Sequence, residues 1–302
     1  MARESILVTG ASGFLGTIIC QELSVDYTVD TLGKSSANTF PVDLATSVPV
    51  FGKHFGMIIH AAAKAHVIPR TRNEQDEFYQ TNLQGTVHLI KGLESPGKLP
   101  EEFVFISTVA VYGLEEGEMI TEDVPLLGIT PYAKSKIQAE SCLEDWCRMN
   151  NVKLTILRLP LVVGQNPPGN LGAMIRWMKK GLYVGIGSGA ARKSMVLARD
   201  VARCIPTLAK SGGIYNLTDG YHPSVLELEN AVARNLTRKK LYRLPDAVLR
   251  AVAKVGDVIG DKFPVDSQKF KKLTSSLTFS DAKAREIAGW NPHSVVDNLP
   301  VL

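Results

Sequence analysis

The chain has 302 residues with 45% hydrophobic and 21% charged content and a formal net charge of +4, which is long enough to bury a sizeable core and ordinary for a globular protein. So small a charge gives no reason to expect nucleic acid; the apolar runs are too short to cross a bilayer and MARESILVTG holds no secretory stretch, so no membrane partner is expected. The cysteines Cys20, Cys142, Cys147 and Cys204 show no C-x-x-C spacing, which fits free thiols in a reducing cytoplasm and no metal site.

In chain order, SILVTG predicts a first strand and GFLGTIICQEL a helix. The runs YTVDTL and GMIIHAAA predict two more strands, EQDEFYQTNLQGTVHLIKGLE a long helix, EFVFIST a strand, YAKSKIQAESCLEDWCRMNN a second long helix and VKLTILRLP a strand. Apolar runs without polar alternation belong to strands covered on both faces. Strand–helix alternation of this kind predicts an α/β fold with a doubly wound parallel sheet. Beyond about residue 160 the pattern loosens. GQNPPGN is turn-forming, LGAMIRWMKKG helical and GIGSGAARKS a glycine-rich loop. GGIYNLTDG and VLELENAVARNLTRK predict a further strand and helix, and LTFSDAKAREIAGWNP a short helix stopped by Gly and Pro.

The turn after the first strand, ILVTGASGFLG, puts Gly10, Gly13 and Gly16 at the entry to a helix. Glycines there let backbone N–H groups approach a pyrophosphate, which the helix dipole favours. The spacing is G-x-x-G-x-x-G rather than the commoner G-x-G-x-x-G, so the position in the chain carries more weight than the spacing. The expectation is a Rossmann-type nucleotide-binding domain over residues 1–160 and mainly a smaller C-terminal substrate-binding lobe over 161–302, with a soft boundary and some later segments returning to the first domain.

At the end of the second strand an NAD-preferring site usually carries an acid for the ribose hydroxyls. This chain has Gly33, Lys34, Ser35 and Ser36 there, with Asp30 about three residues too early. A lysine and hydroxyls suit a 2′-phosphate, so NADP(H) is favoured and NAD(H) is the alternative; a solvated loop with an incidental lysine is the rival explanation. In VDL, Asp43 and Leu44 are candidate adenine contacts.

With the glycine loop followed by IIHAAA, TNLQGT, STVAVYG and PYAKSK, the chain resembles the extended short-chain dehydrogenases/reductases, and within them the NAD(P)-dependent sugar-nucleotide epimerases and dehydratases. The match runs over residues 5 to about 165 and continues more weakly through RKSMVLARDVA and AGWNP. It implies a catalytic Tyr132–Lys136 pair at i and i+4 on one helical face. An unperturbed tyrosine titrates near 10; a neighbouring ammonium and oxidised nicotinamide would lower it towards use as a base. The resemblance puts the third catalytic hydroxyl at Thr108, with Ser107 as the fallback. It places the cofactor against Ser12, Phe14, Leu15, Ala61, Ala62, Ala63, Asn82 and Pro160 besides the residues above, and the substrate against Thr108, Val109, Arg158, Asn170, Lys193 and Ser194. His60 reads as structural or cofactor-lining, Asn82 equally as an ordinary helix-side amide, and Arg158 as either a buried structural group or a substrate contact. Trp146 and Trp177 are read as packing residues on helices.

Dehydratases of the family carry Asp-Glu directly after the catalytic Thr; here Val109 and Ala110 stand there, so elimination of water is not expected. Two reactions remain: reduction of a 4-keto (6-deoxy-HexNAc) sugar nucleotide, placed first because of Lys34, and 4-epimerisation, with non-catalytic cofactor sensing a distant third. The substrate implied is a UDP sugar. The family also implies a homodimer through the long helices near 73–94 and 131–149.

Overall fold

The computed structural model describes residues 3–95, 97–237, 241–245 and 274–300. Its centre is a seven-stranded sheet. The strands are β1 (Ser5–Thr9), β2 (Thr28–Gly33), β3 (Phe40–Pro41), β4 (Met57–His60), β5 (Glu102–Thr108), β7 (Lys153–Leu159) and β11 (Gly213–Asn216), and β6 is the short strand Gly117–Ile120 outside this sheet. The spatial order is β11-β7-β5-β4-β1-β2-β3, and every neighbouring pair is parallel. The order reverses at β1, so the carboxyl ends of β1 and β4 border the crevice where such sheets bind ligands.

Side chains alternate across this sheet. Ile6, Val8 and Val104 pack on one face with Ile19 of α1 (Phe14–Leu23) and Val201 and Ile205 of α6 (Ala198–Ser211). Leu7, Phe103 and Phe105 pack on the other with Leu89 of α3 (Gly85–Glu94) and Ala139 and Leu143 of α4 (Pro131–Asn150). Ile6, Leu7 and Val8 are all fully buried, as two covered faces require, and apolar burial of this kind is worth roughly 1.5–3 kcal/mol per large side chain.

The helix expected over residues 74–94 has three parts. A capping box at Thr71 and Glu74 starts α2 (Arg72–Phe78), a π-turn covers Tyr79–Gln84, and α3 continues. Such π-turns cluster at functional sites, and this one carries Asn82. The helix α4 starts where its sequence dictates: the Thr130 hydroxyl accepts from the Ala133 N–H, Pro131 takes the first helical position, and Asn151 ends the helix in the left-handed region at φ +56°.

Of the later elements, β11 is the edge strand of the main sheet and α6 packs on α1. The remaining strands among the described residues form three parallel two-stranded pairs. They are β8 (Leu161–Val163) with β10 (Met195–Leu197), β9 (Val184–Ile186) with β12 (Tyr242–Leu244), and β6 with β13 (Leu277–Phe279). Around them, α5 (Gly169–Lys179) and α7 (Val225–Asn235) bury Leu171, Ile175, Met178, Leu228 and Val232 against Met195 and Val295. The end of the helical run expected after residue 225, residues 238–239, lies outside the described residues. Trp146 is buried and donates to Glu94, whereas Trp177 is exposed. Among the described residues no helix is long and apolar enough to cross a membrane.

Candidate functional site

The turn between β1 and α1 is shaped by what its glycines lack. Gly10 has φ +68°, and a Cβ there would stand 2.7 Å from the Ala62 backbone; a Cβ on Gly16 would strike the Gly10 carbonyl. The chain can therefore fold tightly over β4 only with glycine at these places. The helix α1 has Gly13 as its N-cap, with no capping side chain and no acid in its first turn, leaving backbone N–H groups and the positive dipole end facing the crevice.

That crevice is a cleft of about 340 Å³. Gly10, Gly13, Phe14, Leu15 and Gly16 form one wall, and Ala61, Ala63 and Pro160 contribute beside them. Ser107, Thr108, Tyr132 and Lys136 line the same space, so the structure brings together residues spread over more than a hundred positions of sequence. Ala65, His66, Ile106 and Pro168 also line it and were not anticipated.

Lys136 is almost completely buried, donates from Nζ to the Ile106 carbonyl at 2.7 Å, and lies 4.3 Å from the Phe105 ring centroid. Burial brings its pKa down to about 7, opposed by the Glu140 carboxylate one turn along α4. Burial pushes the Tyr132 phenol up, and a hydrogen bond with the Thr108 hydroxyl pulls it back. The expected lowering of Tyr132 by Lys136 is therefore not the dominant effect; desolvation prevails. Thr108 is held in place by accepting from the Ala110 N–H at 3.2 Å. Val109 begins the 3₁₀ turn Val109–Tyr112 that follows, outside the cleft lining.

Polar chains buttress the cleft. The Ala62 N–H donates to Thr9 Oγ1, and Thr9 meets His60 Nδ1 at 2.6 Å; His60 Nε2 meets Thr86 Oγ1 at 2.9 Å, which donates to the Asn82 carbonyl. Only one arrangement satisfies every group: Thr86 spends its proton on Asn82, so His60 Nε2–H donates to Thr86 and Nδ1 accepts from Thr9. Complete burial with Lys136 nearby lowers His60 to about 3, consistent with a neutral, structural imidazole. Asn82 accepts from the Lys64 N–H and donates to the Lys64 carbonyl and the Ser135 hydroxyl. It ties the strand-end loop carrying Ala61–Ala63 to the helix carrying Tyr132.

Several of the expected contact residues are not among those lining the cleft. Arg158 is buried and turned away from the cleft: it pairs with Glu140 at 2.7 Å and donates to the Tyr112 hydroxyl and the Glu122 carbonyl. A buried guanidinium needs a partner, and Glu140 on α4 supplies it. Ser107 donates to the same Glu140 carboxylate. Ser194 is buried, with its hydroxyl engaged by His222 Nδ1 at 2.9 Å and the Phe279 N–H at 2.8 Å, and it does not line the cleft. Lys193 is half-buried beside it, bridged to Leu277. Leu44 is a core residue packed against Gly85. Ser12 is exposed on the glycine loop and Asn170 in the first turn of α5.

At the tip of β2, Lys34 Nζ lies 3.0 Å from Asp43 Oδ2, and Ser35 accepts from the Ala37 N–H. An acid absent from the strand end in sequence is thus returned to it in space. A second hollow of about 670 Å³ is lined by α1, α6 and the C-terminal segment, but its polar groups satisfy one another, Glu22 pairing with Arg199 and Arg203, and Asp200 accepting from the His293 backbone N–H and meeting its ring. It contains none of the Thr108–Tyr132–Lys136 set. Among the described residues no cluster of His, Cys, Asp and Glu could hold a metal ion.

The model of the NAD dependent epimerase/dehydratase family matches residues 6–218. The chain is 25% identical over 317 residues to the N-acetyl-alpha-D-glucosaminyl-diphospho-ditrans,octacis-undecaprenol 4-epimerase of Escherichia coli O157:H7, covering 98% of this chain and 93% of that protein. It is 26% identical over 313 residues to the UDP-glucose 4-epimerase of Vibrio cholerae, covering 96% and 91%. The crystal structure of UDP-glucose 4-epimerase from Thermotoga maritima with UDP-glucose shares the fold with a TM-score of 0.73 at 21% identity, covering 97% of this chain and 95% of that one.

Proposed function

The chain belongs to the NAD dependent epimerase/dehydratase family, and from that membership we propose that it moves hydride to and from C4 of a diphosphate-linked sugar, with interconversion of 4-epimers as its net reaction. The observation that carries this reading is the convergence of Thr108, Tyr132 and Lys136 on one cleft beside the uncapped start of α1.

The cradle fits a nicotinamide dinucleotide. Gly10 and Gly16 leave no side chain over the turn, and the free N–H groups of α1 suit a pyrophosphate. Gly10, Ser12, Gly13, Phe14, Leu15 and Gly16 would hold that part, Lys34, Ser35 and Asp43 the adenosine end, and Ala61, Ala62, Ala63 and Pro160 the remainder. When bound, this cofactor supplies the hydride acceptor and donor. Tyr132 handles the proton at the sugar C4 oxygen, accepting it as the alcohol becomes a ketone and returning it as the ketone is reduced. Thr108 hydrogen-bonds the same oxygen. Lys136, anchored on the Ile106 carbonyl, keeps positive charge under the site and favours the phenolate. Asn170 and Lys193 stand on the substrate side of the reading. The names of the 4-epimerase relatives include a UDP sugar and an undecaprenol-diphosphate sugar; what these have in common is a sugar on a diphosphate. A homodimer through α2–α3 and α4, as in the family, completes the proposal.

Lys34 favours a second reading, one-way reduction of a 4-keto sugar nucleotide with NADPH. One experiment separates the two. UDP-glucose, UDP-GlcNAc and GlcNAc-diphospho-undecaprenol are supplied with oxidised cofactor, and a 4-keto-6-deoxy nucleotide sugar with NADPH, while product stereochemistry and nicotinamide absorbance are followed together. Epimers forming without net absorbance change support epimerisation. Stoichiometric NADPH consumption with the keto sugar supports reduction, and no turnover of any of them overturns both.

A further inference from the structure

Three side chains of α4, at i, i+4 and i+8, close on three consecutive residues of β5. Tyr132 hydrogen-bonds the Thr108 hydroxyl, Lys136 Nζ donates to the Ile106 carbonyl at 2.7 Å, and the Glu140 carboxylate accepts from the Ser107 hydroxyl. Residues four apart share a helical face, which is why one helix can grip one strand end at three points. The chemistry above uses Tyr132 and Lys136 but gives Glu140, which is buried beside them, nothing to do.

Both oxygens of that carboxylate are engaged. Oε1 takes the Ser107 proton and Oε2 accepts from Arg158 Nη2 at 2.7 Å, while Arg158 Nε spans the two at 3.4 and 3.3 Å. Ser107 therefore has no proton left for a ligand in the cleft it lines, and the hydroxyl next to it, Thr108, is the one left to meet a reacting oxygen. A buried ion pair is weak evidence of stabilisation, because apolar residues in its place are often as good or better. What an apolar pair could not supply here is a fixed negative charge one helical turn from the Lys136 ammonium.

The other charged and titratable groups around this point leave that role to Glu140. It is the anion that favours the Lys136 ammonium against desolvation. His60 of β4 is buried and neutral. Arg158 of β7 carries the opposing charge. The Tyr112 hydroxyl accepts from Arg158 and donates to Asn216, and the Glu122 carboxylate accepts from the Asn216 backbone N–H. Glu144, one turn further along α4, is pushed towards its neutral form by burial and by Glu140 itself.

We propose that Glu140 is a positioning residue of the Thr108–Tyr132–Lys136 set: through Ser107 it holds the end of β5, and as the anion one turn from Lys136 it keeps that ammonium charged, with Arg158 limiting how strongly. This rests on the reading of those three residues as the catalytic set and adds the group that decides at which pH they work.

The test reads Lys136 directly. Protein carrying carbon-13 at lysine Cε is titrated by NMR, and the Lys136 signal is the one lost in Lys136→Met. The proteins are wild type, Glu140→Gln, Arg158→Gln and the double variant. Glutamine keeps a hydrogen-bonding group at each place and removes the charge. Thermal melting confirms folding, and each single variant tests the link by itself should the other fail to fold. The Lys136 midpoint should fall by about one pH unit in Glu140→Gln, rise by a similar amount in Arg158→Gln, and return towards wild type in the double variant. With UDP-glucose, UDP-GlcNAc or GlcNAc-diphospho-undecaprenol as substrate, the alkaline limb of kcat should move with the midpoint while KM changes little. Coincident midpoints in wild type and the single variants, or shifts of the same sign in both, would overturn the charge link. Midpoints that move while the limb of kcat stays in place would overturn the positioning role. A wild type that turns over none of the three sugars would overturn the catalytic reading of the cleft and the positioning role with it, whereas the midpoints would still read the charge link.

Discussion

The Lys136 ammonium donates to the carbonyl of Ile106 at 2.7 Å, which ties it to the strand that carries Ser107 and Thr108. Desolvation brings its pKa from 10.5 to about 7. Between these values the unfolded chain binds a proton that the folded chain does not, so stability rises with pH across that window. Lys136→Met removes the buried charge while keeping the volume. Denaturant unfolding should show the variant more stable than wild type below about pH 7, with the advantage shrinking towards about pH 10, although turnover falls by about 10² or more. A pH-independent difference would show that burial of the charge is not what sets it.

Tyr132→Phe keeps the ring beside Phe78, 6.2 Å between centroids, and removes only the hydroxyl. Turnover should fall by about 10²–10⁴ with cofactor affinity and melting temperature near wild type. Wild-type turnover would remove Tyr132 from its assigned role.

His60 is held neutral with its pKa lowered from 6.5 to about 3. In that range the unfolded chain is the more protonated, so stability is lost as pH falls from about 6.5 towards about 3. His60→Gln, which keeps one acceptor and one donor, should flatten this part of the acid limb relative to wild type. Urea midpoints measured across the range decide it, and parallel acid limbs would contradict the assignment.

The Glu140–Arg158 pair is almost wholly buried. Glu140→Gln leaves the guanidinium uncompensated and should cost about 3–5 kcal/mol, whereas Glu140→Met with Arg158→Leu should cost much less. A double-mutant cycle by denaturant unfolding measures the coupling; a small effect of Glu140→Gln would mean that Arg158 does not depend on Glu140.

What the sequence revealed and what it hid divide along physical lines. The glycine turn and the Tyr132–Lys136 pair depend on local spacing, three residues apart in a loop and four on a helix face, so they are readable without knowing the fold. Continuous apolar runs revealed the two-sided sheet for the same reason. Arg158 was ambiguous because the partner that decides its direction, Glu140, comes from a different element, although an acid one turn beyond Lys136 on a buried face was a usable signal. Lys34 looked unopposed because Asp43 reaches it only after the chain has made β3. His66 carries no periodic signal at all; its place depends on a left-handed backbone and on Gly169, a hundred residues away.

The Lys34–Asp43 pair makes the cofactor preference testable at two atoms. Its two charges are 3.0 Å apart, with Lys34 well exposed and Asp43 half-buried, so the pair is weak, about 0–1 kcal/mol, and a 2′-phosphate can compete for the lysine. Lys34→Ala should weaken NADPH binding with little effect on NADH. Asp43→Asn removes the anion that repels the 2′-phosphate and should tighten NADPH binding by a few-fold to about tenfold, leaving Lys34 free to pair with it. Calorimetric titration of both cofactors against wild type and both variants gives the answer. If wild type prefers NADH and Asp43→Asn weakens NADH, then Asp43 rather than Lys34 reads the ribose. The second, reductive reading then loses the feature that favours it, and epimerisation with retained NAD stands alone.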